Sequence, residues 1–171
     1  MTNEKPFWGS LIGFFTVSLM GVVAHFLFEL SGNNTFIGLF TPVNESTWEH
    51  LKLLFFPFML YNIIEFLTYG KKIQGFLFSR VTGVIFGLIF IPSAHFIYTS
   101  ILGKSVPTID ILLFFISVFL AFYISYSRIV KKFDQKPWRT FSAIVLFTGI
   151  SALFIGLTFF PPDTALFRSP V

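Results

Sequence analysis

Apolar and polar positions fall into long blocks along this chain rather than into a short alternating period. Five blocks are almost wholly apolar: 7–30, 51–69, 76–97, 109–127 and 140–160. A helix gains about 1.5 Å per residue and the hydrocarbon layer of a bilayer is about 30 Å thick, so roughly 20 apolar residues suffice to cross it. Strands of a membrane barrel are about half as long and alternate in polarity. These blocks do neither. The pattern predicts an all-α integral membrane bundle of about five transmembrane helices, folded as a single domain over 1–171. The first block follows Lys5 and resembles a signal peptide in position. It is too long for one, and no small-x-small cleavage site follows, so a retained helix is expected.

Basic residues set the expected orientation. Lys71, Lys72 and Arg80 lie after the second block, and Arg128, Lys131, Lys132, Lys136 and Arg139 lie after the fourth. The connection between blocks three and four carries only Lys104, and that between one and two carries no Lys or Arg. Lys and Arg accumulate on the cytoplasmic side, which places the N-terminus inside and the C-terminus outside. In the 31–47 connection, Phe36-Ile37-Gly38-Leu39-Phe40 is apolar enough to lie in the interface or dip inward. Pro161-Pro162 ends the last block, because proline cannot continue the helical hydrogen-bond ladder.

Composition supports this reading. Hydrophobic residues make up 54% of the 171 residues and charged residues 12%, with 27 Phe, whereas a soluble domain is nearer about 25% charged. Phe in such number is tolerable where lipid is the solvent. With no Cys there is no thiolate ligand, thiol nucleophile or disulfide framework. The net charge of +4 sits in the connections, where it sets topology and meets anionic headgroups rather than nucleic acid.

The chemistry-bearing residues are few. With the expected orientation, His25, His50 and His95 fall at one depth near the outer boundary, together with Glu29, Asn44, Glu45, Ser46, Glu49 and Asp110. Ionisable groups in spans are costly and usually face a bundle interior or wet cavity. His25 and Glu29 share a helix face, with Cβ atoms about 6 Å apart. The candidate metal ligands are therefore His25, His50, His95 and Glu29, with Glu45 or Glu49 as general base. A divalent metal such as zinc is the expected cofactor. Each residue also has a plainer role. Ser46-x-x-Glu49 reads as a capping box, Trp48 as an interfacial anchor, and Asp110 as a first-turn acid behind Thr108. Glu65 is expected to pair near Lys71 and Arg80, and Asp163 with Arg168. Pro92 should release the Leu88 carbonyl and kink the helix beside His95. Gly83-x-x-x-Gly87 should admit a neighbouring helix closely.

The run Pro42-Val43-Asn44-Glu45-Ser46-Thr47-Trp48-Glu49-His50-Leu51-Lys52, with Pro92-Ser93-Ala94-His95 and the tail from Pro162 to Pro170, resembles an uncharacterised family of small polytopic membrane proteins from Gram-positive bacteria. The resemblance implies a multi-pass protein of the bacterial cytoplasmic membrane and no particular activity. Ser46-x-x-x-His50 is also similar to one element of the seven-helix metal-dependent hydrolases that include alkaline ceramidases. Their paired histidines and two of their helices have no counterpart here. Three functions compete at this stage. The first is a metal-dependent hydrolase or transferase acting on a lipid-like substrate. The second is a substrate-binding or transport subunit working with the bilayer and a homo-oligomer or membrane partner. The third is a structural or regulatory membrane subunit.

Overall fold

The structure is a computed structural model, which describes residues 4–133 and 136–169; Pro170, in the tail run above, lies outside the described residues. Five long helices carry the five apolar blocks: α1 (Glu4–Leu30), α3 (Thr47–Thr68), α4 (Phe76–Leu102), α5 (Pro107–Val130) and α6 (Trp138–Phe159). A short helix, α2 (Thr35–Gly38), interrupts the connection after α1. Each long helix is long and apolar enough to cross a membrane. Most of them run a turn or so beyond the apolar blocks. α3 begins at Thr47 rather than 51, and α4 continues to Leu102 rather than 97. Apolarity stops at the first polar side chain, but backbone hydrogen bonding continues until a cap ends it. Ser46 caps α3 and Gly103, at φ 70°, ends α4.

Contacts between ring and glycine positions fix the packing. α1 runs antiparallel to α3, since Tyr61 donates to the Gly9 carbonyl at 2.7 Å near one end and His25 meets His50 near the other. α1 is also antiparallel to α5, through Phe7–Tyr126 and Phe14–Phe119 ring contacts. α3 is the central helix, touching the other four long helices. Val17, Leu54, Phe55, Phe58, Val84, Val118 and Ala121 form its fully buried surroundings. Many other apolar side chains, including Phe15, Phe86, Phe119 and Phe141, point outward and are exposed. That inversion suits a surface solvated by lipid tails.

The closest helix pair is α4 on α5. Gly83 and Gly87 face Ser117, Ala121 and Ser125, spaced four apart on α5, so small residues meet small residues on both sides. A Cβ at Gly83 would strike the Ala121 carbonyl oxygen and Ser125 Oγ. Backbone cannot give way as a flexible side chain can. Gly83→Ala is therefore expected to destabilise by about 1–3 kcal/mol, the usual cost of overpacking. Thermal unfolding in mild detergent measures this, and an unchanged midpoint would show that α4 and α5 can separate freely. The packing leaves two distinct ends. Lys71, Lys72, 131–133 and 136–137 lie at the basic end; the α1–α3 and α4–α5 connections lie at the other, here called the histidine end.

Candidate functional site

At the histidine end, α1 brings His25, the first turn of α3 brings His50, and the segment leading into α3 brings Glu45. His25 Nε2 and His50 Nε2 lie 3.1 Å apart. Glu45 Oε2 lies 3.4 Å from His50 Nε2 and 3.8 Å from His25 Nε2. The two histidine side chains are about one-third exposed, and the Glu45 side chain is more open. His50 Nδ1 is 2.9 Å from the Ser46 carbonyl oxygen. A carbonyl only accepts, so Nδ1 carries a proton, and in the neutral ring the Nε2 lone pair is the one turned toward His25 and Glu45. Such fixing of a tautomer by an outer hydrogen bond is the usual support of a metal-binding imidazole.

The triangle has the size a cation needs. Zinc holds nitrogen and carboxylate oxygen at about 2.0–2.2 Å, which makes a tetrahedral ligand-to-ligand edge about 3.3 Å. The three observed edges bracket that value. Among the described residues, this is the one group of three or more His and acidic side chains close enough to share an ion.

His95 does not join the triangle. It lines the same cavity from α4, and its Nδ1 donates to Asp110 Oδ1 on α5 at 2.8 Å. Asp110 also accepts from Tyr98 at 2.7 Å and from Ser105 at 2.7 Å. Asp110 is thus more than a first-turn acid. The helix starts at Pro107 with Val106 as its cap, so Thr108 does not cap it. Glu29 is exposed and outside both the triangle and the cavity lining. The turn after His25 carries it past the site, although helical spacing puts the two residues on one face.

Glu49 also departs from its expected part. It is 2% exposed, and its carboxylate accepts from Lys52 Nζ at 2.7 Å, the Val43 amide at 3.0 Å and Thr158 Oγ1 at 3.1 Å. The carboxylate is thus enclosed by protein partners, and it does not line the cavity. Only half of the capping box forms. Ser46 Oγ accepts from the Glu49 amide, while the Ser46 amide donates to Asn44 Oδ1 instead. Lys52, wholly buried, uses its other two hydrogens on the Gly38 and Thr41 carbonyls at 2.9 and 3.3 Å. The apolar 36–40 segment is thereby held against the bundle, with Phe40 on Phe56. Trp48 is not a free interfacial anchor. It stacks on Phe167 of the tail and packs on Phe154. The tail folds onto α3 in this way, its Asp163 and Arg168 paired at 2.8 Å, yet none of its described residues lines the cavity.

The cavity between α1, α3, α4 and α5 has a volume of about 540 Å³, within the range of small-molecule sites. Its polar rim is His25, Glu45, His50, His95, Ser105 and Asp110, and most of the remaining lining is apolar. A second charged cluster lies at the basic end, where Arg80 Nη2 donates to Glu65 Oε1 at 2.7 Å and Nη1 to Ser10 Oγ at 3.0 Å. Tyr69 also donates to Glu65. Lys71, expected nearby, is exposed and makes no ion pair with Glu65 among the described residues. The sequence pattern gave notice of the Glu65–Arg80 pair but not of its complete burial, nor of the Lys52–Glu49 and His95–Asp110 pairs. At least one ionisable side chain within an apolar block marks each of the three: Glu65 and Arg80, Lys52, and His95 with Asp110.

Fold and site define an all-helical protein with five helices long and apolar enough to cross a membrane and a histidine–carboxylate cluster beside a cavity between them. The chain belongs to DUF6512, a family of unknown function, whose sequence model matches residues 2–171. No curated protein and no solved structure matches it.

Proposed function

We propose that the protein is a membrane-embedded metal-dependent hydrolase or transferase in which His25, His50 and Glu45 hold a divalent cation of the zinc type. The single observation carrying this reading is the His25–His50–Glu45 triangle, with edges of 3.1, 3.4 and 3.8 Å. Three protein ligands leave a fourth position for water or substrate, and a cation there supplies Lewis-acid polarisation and an acidified water. The residues across the cavity fit the accompanying proton work. Asp110 holds His95 by Nδ1–H, which leaves His95 Nε2 to take or give a proton in the cavity. Glu45 then acts as a ligand rather than as the base, and the base is His95.

The distribution of Lys and Arg supports an orientation with the basic end in the cytoplasm and the cavity opening near the opposite face. With this orientation the substrate is met at the outer side of a cytoplasmic membrane.

Metal analysis of protein purified in mild detergent without chelators tests the proposal. Wild type should carry about one equivalent of zinc or a similar ion, and a chelator should lower its melting temperature. His25→Ala and His50→Ala should each lose the metal, while His95→Ala should keep it and abolish turnover. Wild-type protein without stoichiometric metal, melting alike with and without chelator, overturns the reading.

A further inference from the structure

We infer that the substrate is an amphiphile already resident in the bilayer, which reaches the cavity sideways between α1 and α5. This rests on the reading of the histidine–glutamate cluster as the reactive end. α1 and α5 touch along their length from Phe7–Tyr126 through Phe14–Phe119. Their contact closes at Gly21, where any side chain would strike the Phe114 ring. That pair forms the cavity floor. Beyond it the two antiparallel helices carry matching apolar pairs four residues apart, Val22 and Phe26 on α1, Ile111 and Phe115 on α5.

All four side chains line the cavity, and three of them, Val22, Phe26 and Ile111, are 43%, 54% and 57% exposed, so no neighbouring helix covers them. A wall whose side chains are shared between cavity and outside is a gap between helices rather than a sealed face. A polar solute gains nothing from such a slot. An acyl chain loses nothing by leaving the bilayer for it, because both surroundings are apolar. Headgroup chemistry is available only at the upper rim, where His25, His50, Glu45 and His95 lie.

The Leu53 carbonyl lies at the floor. Pro57 has no N–H to give the Leu53 carbonyl, and that oxygen lies close enough to Gly21 that a Cβ there would crowd it. Leu53 lines the cavity. The freed oxygen can accept from a hydroxyl or amide N–H a short way down the chain from the headgroup. The favoured class is therefore a lipid with one slender apolar chain and a hydrogen-bond donor near its polar end.

A lysophosphatidylcholine bearing a diazirine in its acyl chain tests the route, with protein in lipid nanodiscs and adducts mapped by mass spectrometry. Adducts should concentrate on 22–26 and 111–115. The double variant Val22→Trp/Ile111→Trp should lower them about tenfold, a penalty of about 1.4 kcal/mol, because two indoles take the space an acyl chain would enter. Its metal content should stay that of wild type. Adducts spread evenly over the exposed faces of all five helices overturn the inference, as does undiminished labelling in the filled variant. If the filled variant is not recovered, the wild-type map alone decides. Localised labelling in wild-type protein that holds no metal would retain the lipid slot and reject the metal reading; metal-loaded protein with even labelling would do the reverse.

Discussion

Replacing Lys52 by Met is expected to cost about 3–5 kcal/mol of stability and to release the metal site with it. Lys52 is wholly buried, and its ammonium serves Glu49, Gly38 and Thr41 at once. Without it Glu49 remains a buried, unpaired carboxylate, which is the most expensive way to break an ion pair. The Gly38 and Thr41 carbonyls lose their donor as well. These contacts hold the segment that leads into α3, and Glu45 sits on that segment, four residues beyond Thr41. The third ligand is therefore expected to drift from the two imidazoles, so that bound metal falls together with the melting temperature. Replacing both partners, Glu49→Leu with Lys52→Met, should recover much of the stability, because no charge is left without a counterpart. A double variant no more stable than Lys52→Met would show that the hydrogen bonds to the loop, rather than the charge pair, carry the effect.

Arg80→Met should be comparably destabilising, again by about 3–5 kcal/mol, but without touching metal content per folded molecule. Arg80 is fully buried and Glu65 is 4% exposed. The guanidinium also lies over the Phe76 and Phe122 rings, at 5.1 and 5.2 Å from their centroids. One residue thereby ties α3, α4, α5 and, through Ser10, α1 at the basic end. Its removal leaves the Glu65 carboxylate inside an apolar bundle with only Tyr69 to serve it. Thermal unfolding alongside metal analysis separates the two variants. Loss of metal from folded Arg80→Met protein would mean that the two ends of the bundle are coupled, contrary to the separation seen in the packing.

Much of the architecture could be read before any coordinates. Block length against bilayer thickness located five helices. Helix ends ran past the blocks because capping by Ser46 and Gly103, not apolarity, stops a backbone ladder. The site was less legible. His25, His50 and His95 could be put at one depth, since depth follows from counting residues along a helix. Their azimuth around each helix could not be put anywhere, because five antiparallel helices pack in many rotations with the same spans. The rotation realised turns His25 and His50 toward each other and His95 toward Asp110.

Glu45 and Glu49 illustrate the same division. By spacing they were equivalent candidates for a base, four residues apart in one polar run. In the fold Glu49 is enclosed by Lys52, Val43 and Thr158, the last arriving from 109 residues away on α6, while Glu45 stays open beside the imidazoles. The sequence by itself determined which stretches form the five long apolar helices and which few polar residues gather toward one end of them. Only the tertiary structure decided which of them share a pocket. Hydrophobic block length acts along one axis, whereas ligand geometry depends on how side chains of separate helices are turned against each other.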